Sequence, residues 1–169
     1  MLRRVLLSLV LVLTCAASAA AQATVFVVRH AERADTPAPG GAAMTMTTDP
    51  DLSDAGRARA ESLATLLKDA QITAIFATQY KRTQQTAAPM AKAADLQVTI
   101  LHSDDVAGLM EKLKATAGNA LVISHSGSVP KVVAALGIQA PVTLGEADYD
   151  NLFIVSRDAT PRMLRLHYR

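Results

Sequence analysis

The 169-residue sequence has one cysteine, no tryptophan and only 4% aromatic residues. A lone cysteine, Cys15, excludes an intramolecular disulfide framework and any multi-cysteine metal site. With so few aromatics, a buried core must be built from Ala, Val, Leu and Ile, and half of the residues are hydrophobic, enough for one domain of sizeable core. Heptads, internal repeats and low-complexity tracts are also missing, which removes coiled coils and solenoids. No uninterrupted apolar run reaches the ~20 residues of a membrane-spanning helix. Charge of one sign is scarce too, at a net +2.

What is present begins with a segment to set apart from the fold. Met1-Leu2-Arg3-Arg4 is a short basic head. Val5 to Ala17 is apolar apart from Ser8 and Thr14, and Ala19 to Ala23 supplies small residues at A-x-A spacing. This is the pattern of a secretory signal peptide over residues 1–23, cleaved after Ala23 or slightly earlier. Thr14 stands before Cys15 where a lipidation site has Gly, Ala or Ser, so a lipoprotein is disfavoured. The expected product is periplasmic or secreted, with no stable membrane insertion. Arg3 and Arg4 are two of the 17 basic residues, so the mature chain has equal basic and acidic counts. Nucleic acid is therefore not an expected partner, and any anion must be held by a local cluster.

Thr24-Val25-Phe26-Val27-Val28 is a continuous apolar or β-branched run ending in Arg29-His30. Such a run reads as a strand buried on both faces of a parallel sheet. Its carboxyl end is where open α/β sheets bind ligands. Arg33 to Pro50, rich in Pro, Gly, Met and Thr, reads as a long loop. Ser53 caps a helix whose stripe is Leu63, Leu66 and Leu67. Strands follow at Ile72 to Ala77, Leu96 to Leu101 and Asn119 to Ile123. Helices are expected at Tyr80 to Ala94, Val106 to Thr116 and Val129 to Leu136. Pro89 should kink or split the first of these. Asn151 to Ser156 and Arg162 to Tyr168 close the chain as paired strands. The alternation predicts a three-layer α/β/α sandwich around a mostly parallel sheet.

Arg29-His30, Arg82 and His125 each follow a strand. Two arginines and two histidines at strand ends suit a phosphoryl group, because each guanidinium offers a bidentate pair of charge-assisted hydrogen bonds. Backbone N–H groups at the helix starts near Arg82 and after His125 add donors. One neutral imidazole can attack phosphorus, and the second can stabilise the transferring charge. His30 and Glu32 have no third metal ligand at recognisable spacing.

These pieces carry a resemblance. Val-Val-Arg-His-Ala-Glu (27–32), Leu-Ser-Asp-Ala-Gly-Arg-Ala-Arg-Ala (52–60), Ala-Thr-Gln-Tyr-Lys-Arg-Thr-Gln-Gln-Thr-Ala (77–87) and Val-Ile-Ser-His-Ser-Gly (122–127) stand in the order and spacing of the histidine phosphatase superfamily, also called phosphoglycerate mutase-like. The chain resembles that family over nearly all of 24–169. The resemblance implies the phosphoglycerate mutase-like fold and a metal-independent, cofactor-free phosphoric monoester hydrolase. Its substrate is a small phosphorylated molecule or phosphohistidine. It implies His30 as the nucleophile that becomes phosphohistidine, Arg29 and Arg82 as phosphate ligands, and His125 as the second pocket histidine. Family members that cut phosphomonoesters use a carboxylate as general acid. Asp104, Asp105 and Glu32 are the candidates here. Asp104 and Asp105 equally fit helix caps, and Glu32 equally fits an ion pair with a nearby arginine. Arg57 and Arg59 read as a solvated helix face. Asp148 to Asn151 read as a turn, or as a piece of the pocket rim. His102 and His167 read as ordinary surface or core residues. Two rivals stand beside the phosphatase: a mutase, which must shield its phosphorylated intermediate from water, and a non-catalytic phospholigand-binding module using the same pocket.

Overall fold

The structure is a computed structural model describing residues 23–35 and 49–168. The signal-peptide segment, Cys15 and most of the 33–50 loop lie outside the described residues.

The first run forms β1 (Thr24–Arg29). It is followed by α1 (Asp54–Leu67), β2 (Ile72–Thr78), α2 (Lys81–Ala94), β3 (Val98–Leu101), α3 (Val106–Ala115), β4 (Asn119–Ser124), α4 (Val129–Ala135), β5 (Asn151–Ser156) and β6 (Met163–His167). The sheet order is β3-β2-β4-β1-β5-β6. Neighbours among β1, β2, β3 and β4 run parallel, while β5 and β6 pair antiparallel at one side.

β1 and β4 lie at the centre, and both are buried along nearly their whole length. Their side chains alternate between two cores. Phe26 and Val28 face Leu63, Ala64 and Leu67 of α1 and Ala87, Met90 and Ala91 of α2. Val25 and Val27 face Leu109 and Leu113 of α3 and Val129, Val132 and Val133 of α4. This is the expected three-layer arrangement. Each fully buried aliphatic side chain contributes about 1.5–3 kcal/mol. The central strands are thus held firmly enough to carry polar groups at their carboxyl ends.

Local signals set the boundaries. Ser53 caps α1 by accepting from the Gly56 N–H at 3.1 Å. Asp105 caps α3 by accepting from the Gly108 N–H at 2.8 Å. β3 begins at Val98, two residues later than expected, because Asp95 takes a left-handed conformation and the Leu96 N–H returns to Ala91 O. α2 is not split at Pro89 but runs on to Ala94. Buried Thr86 and Ala87 before the proline, and Met90 and Ala91 after it, anchor the helix to the sheet on both sides. That packing outweighs the lost backbone bond.

Candidate active site

Arg29, His30, Arg82 and His125 converge where β1, β2 and β4 end. The His30 N–H donates to Ser124 O at 2.9 Å, tying the end of β1 to the end of β4. The Ala31 N–H donates to Thr86 Oγ1 at 3.0 Å, and that hydroxyl donates to Arg82 O at 2.7 Å. Thr86 therefore couples the turn after His30 to the turn of α2 that carries Arg82.

His30 is only 4% exposed. Its Nδ1 lies 2.8 Å from Ala31 O. A carbonyl only accepts, so Nδ1 carries the proton and Nε2 keeps its lone pair. Burial pushes its pKa down to about 3; the Ala31 carbonyl opposes this, and His125, Arg29 and Arg82 add to it. The ring is neutral at pH 7 and aims an unprotonated nitrogen away from the backbone. The His125 ring stands 5.3 Å away, edge to face. Burial pushes His125 down to about 4, with Arg82 and Arg29 contributing.

The guanidiniums are incompletely paired. Arg29 donates through Nη1 to Gly145 O and Glu146 O, each at 2.9 Å, and lies 4.2 Å from the centre of the Tyr149 ring. Arg82 lies 4.4 Å from the centre of the Tyr80 ring and 3.4 Å through Nη2 from His125 Nδ1. Among the described residues, Arg29 Nε and Arg82 Nε and Nη1 are buried without a hydrogen-bond partner. Such donors are rare in proteins and call for an acceptor. A tetrahedral oxyanion supplies several.

Not every expected residue joins this cluster. Glu32 turns to α1, where its carboxylate accepts three hydrogen bonds at 2.6–3.0 Å from Arg59 Nε and Nη2. Arg59 also donates to Tyr168 O at 3.0 Å. The arginine is thus half-buried in a clamp, and only Arg57, paired with Asp54 at 2.6 Å, keeps the expected exposed position. Asp105 is occupied as a cap. Asp104 is 81% exposed and binds Ser103 and His102. His102 and His167 lie outside the cluster, beside Asp104 and Asp150. The helix-start donors near Arg82 are also engaged: the Lys81 N–H goes to Asp49 Oδ1 at 3.0 Å, and those of Thr83 and Gln84 go to Tyr80 O.

Three site residues were not singled out in sequence, and a fourth, Tyr149, was read there only as part of a turn or of the pocket rim. Asp49 falls in the stretch that the sequence reads only as a long loop, yet its Oδ1 is 3.6 Å from Arg82 Nη1. Tyr80 meets His125 at a right angle, centroids 5.3 Å apart. Tyr149 lies 6.1 Å from His30 and places the 148–151 turn on the pocket wall. Thr78 Oγ1 is 2.9 Å from His125 Nε2. No group of three or more metal-ligating side chains occurs among the described residues. No helix among them is long and apolar enough to cross a membrane.

Residues 25–105 match the model of the histidine phosphatase superfamily (branch 1). The resemblance carried by the sequence pieces in that stretch therefore holds. No curated protein matches the chain by sequence. Among solved structures, it is similar to the protein histidine phosphatase SixA complexed with tungstate, at 20% identity and TM-score 0.65, covering 85% of this chain and 96% of that one. It is also similar to a SixA from Agrobacterium tumefaciens whose phosphohistidine phosphatase activity is a provisional assignment, at 19% identity and TM-score 0.60, covering 85% and 97%. A mycobacterial glucosyl-3-phosphoglycerate phosphatase aligns at 18% identity and TM-score 0.63, covering 83% and 96%. These likenesses establish the phosphoglycerate mutase-like fold.

Proposed function

From a chain that carries the histidine phosphatase superfamily pattern on the phosphoglycerate mutase-like fold, we propose a metal-independent phosphatase that works through a phosphohistidine on His30. One observation carries this reading most. His30 is neutral, its Nδ1 is committed to the Ala31 carbonyl, and its free Nε2 stands in a pocket with two guanidiniums that still hold unpartnered donors. Nε2 attacks phosphorus, and the bond from phosphorus to the leaving atom breaks. Arg29 and Arg82 hold the equatorial oxygens, and His125 supports the charge on the transferring group. Water then cleaves the N–P bond, returning His30 and phosphate.

The choice of leaving group follows from the carboxylates. A phosphomonoester needs a proton on its leaving oxygen, and general acid help typically contributes ~10²–10⁴-fold. Glu32 is committed to Arg59, Asp105 caps a helix and Asp104 points to solvent. A phosphoramidate such as phosphohistidine leaves more easily and depends less on such an acid. With these three carboxylates committed elsewhere, and with Asp49 accepting from the Lys81 N–H beside Arg82, the reading prefers N–P substrates over phosphomonoesters. SixA, a protein histidine phosphatase by its description, shares the fold.

The test compares a phosphoramidate with an aryl phosphate in EDTA, for the wild type and His30→Ala. The proposal expects faster turnover of the phosphoramidate and loss of both activities in the variant. Tight phosphate binding with no turnover of either compound would point to the binding module. Transfer between positions of a phosphorylated sugar acid would point to the mutase.

A further inference from the structure

We infer that Thr78, backed by Thr83, is the positioning residue that sets which nitrogen of His125 faces the phosphoryl pocket. The inference deepens the phosphatase reading and rests on it for its catalytic consequence.

The hydrogen-bond directions can be assigned from chemistry alone. A guanidinium only donates, so at 3.4 Å from Arg82 Nη2 the His125 Nδ1 is the acceptor. His125 is neutral because burial holds it at about 4. Its single proton is therefore on Nε2, which donates to Thr78 Oγ1 at 2.9 Å. Thr78 must then send its own proton elsewhere. Thr83 Oγ1 lies 2.9 Å from it. Thr83 in turn donates to a backbone carbonyl, Tyr80 O at 2.7 Å or Thr78 O at 3.0 Å. It also accepts the Thr78 N–H at 3.1 Å. The chain is Arg82 to His125 to Thr78 to Thr83 to backbone, and every step runs donor to acceptor.

Local structure explains only part of this. Thr83 sits in the first turn of α2, where a hydroxyl bonded back to Tyr80 O is ordinary helix-start chemistry. Thr78 is different. Its hydroxyl crosses from the end of β2 to a ring at the end of β4, 47 positions away. Both threonines are buried, Thr83 completely. The direct parallel is a metal-bound histidine, whose second nitrogen is fixed by an outer partner, at a cost of 10–100-fold when that partner is lost. Here the fixed nitrogen is Nε2, so Nδ1 is the atom that faces Arg82 and the phosphoryl pocket.

The test is ¹⁵N NMR of the histidine rings in the full chain at pH 7, with His125→Ala used to assign the His125 signals among the four histidines. The inference expects a pyrrole-type Nε2 and a pyridine-type Nδ1 for His125 in the wild type. Thr78→Val, near-isosteric but without the hydroxyl, should mix the tautomers and lower kcat about 10–100-fold with a smaller change in KM. Thr78→Ser should restore both. Thr83→Val, which leaves Thr78 in place, should weaken the preference without abolishing it. A wild-type His125 protonated on Nδ1, or an Nε2 preference unchanged in Thr78→Val, overturns the inference. If Thr78→Val does not fold, the wild-type and Thr83→Val spectra decide. The tautomer is read without turnover, so a protein that shows the expected spectra but no phosphatase activity would sink the function and leave the positioning role standing.

Discussion

Arg82 and Arg59 sit on neighbouring helices and serve opposite ends. Arg59 is complete: Glu32 takes both of its forks, Tyr168 O takes Nη1, and the Glu32 carboxylate raises its pKa. Arg82 is incomplete: burial lowers its pKa, with Arg33 adding to the effect, and Nε and Nη1 have no hydrogen-bond partner among the described residues. The same contrast exists within one short motif. Glu32 closes an internal clamp, while Arg29 and His30, three and two residues earlier, remain open to a ligand. A buried charge whose bonds are satisfied inside the protein holds the fold. One whose bonds are not satisfied carries a desolvation cost that an incoming anion can offset. The difference marks Arg59 as structural and supports the proposed binding role of Arg82 without reference to any relative.

The largest expected effect falls on the open side. His30→Ala should lower kcat/KM by at least about 10³-fold, as loss of a covalent nucleophile does, with the fold retained in circular dichroism. Arg82→Lys should cost about 10²–10³-fold, because one ammonium cannot replace a fork of donors aimed at a developing oxyanion. Its melting temperature should barely move. The closed side should behave in the reverse way. Arg59→Ala leaves a half-buried Glu32 unpaired and should cost about 1–3 kcal/mol, read as a fall in Tm of several degrees. Activity per folded molecule should change little. If Arg59→Ala removed activity at unchanged Tm, the comparison would fail.

A pH series sharpens the same point. Both pocket histidines have folded pKa values, about 3 and about 4, below the ordinary 6.5. The unfolded chain therefore binds these protons below pH 6.5 and the folded chain does not. Stability from this source is full above pH 6.5 and is lost as pH falls toward 4, by up to about 1.4 kcal/mol per pH unit for each histidine. Thermal melts between pH 7 and 5 should show a falling Tm, and His125→Ala should flatten the slope. The smallest effect belongs to Asp49, whose carboxylate stands 3.6 Å from Arg82 Nη1. Asp49→Asn removes a competing anion and should tighten tungstate or vanadate inhibition a few-fold.

Much of this architecture was legible because the signals are local. β1 and β4 are unbroken apolar runs, and their abrupt ends announce Arg29-His30 and His125. Ser53 and Asp105 are caps that depend on three residues each. The missed features are those that depend on strand order. Thr78 reaches His125 only because β2 lies beside β4, and Tyr149 reaches Arg29 only because the chain returns to β1 through β5. Periodicity does not encode which strand is the neighbour. Glu32 had two readings in sequence, an acid or an ion-pair partner, and only the approach of α1 chooses between them. Gly56 permits that approach: a Cβ there would press directly on the Glu32 backbone. Pro89 misled as to a split, since the packing that keeps α2 continuous through it lies on other elements.

The most direct test of the account is to catch the intermediate. The protein would be mixed with a phosphoramidate in EDTA, quenched in alkali within milliseconds to seconds, and digested for mass spectrometry. The account predicts a phosphoryl group on the peptide containing His30, at a level that rises and falls with turnover and is absent in His30→Ala. Turnover with no label on His30, or turnover that persists in His30→Ala, would contradict it.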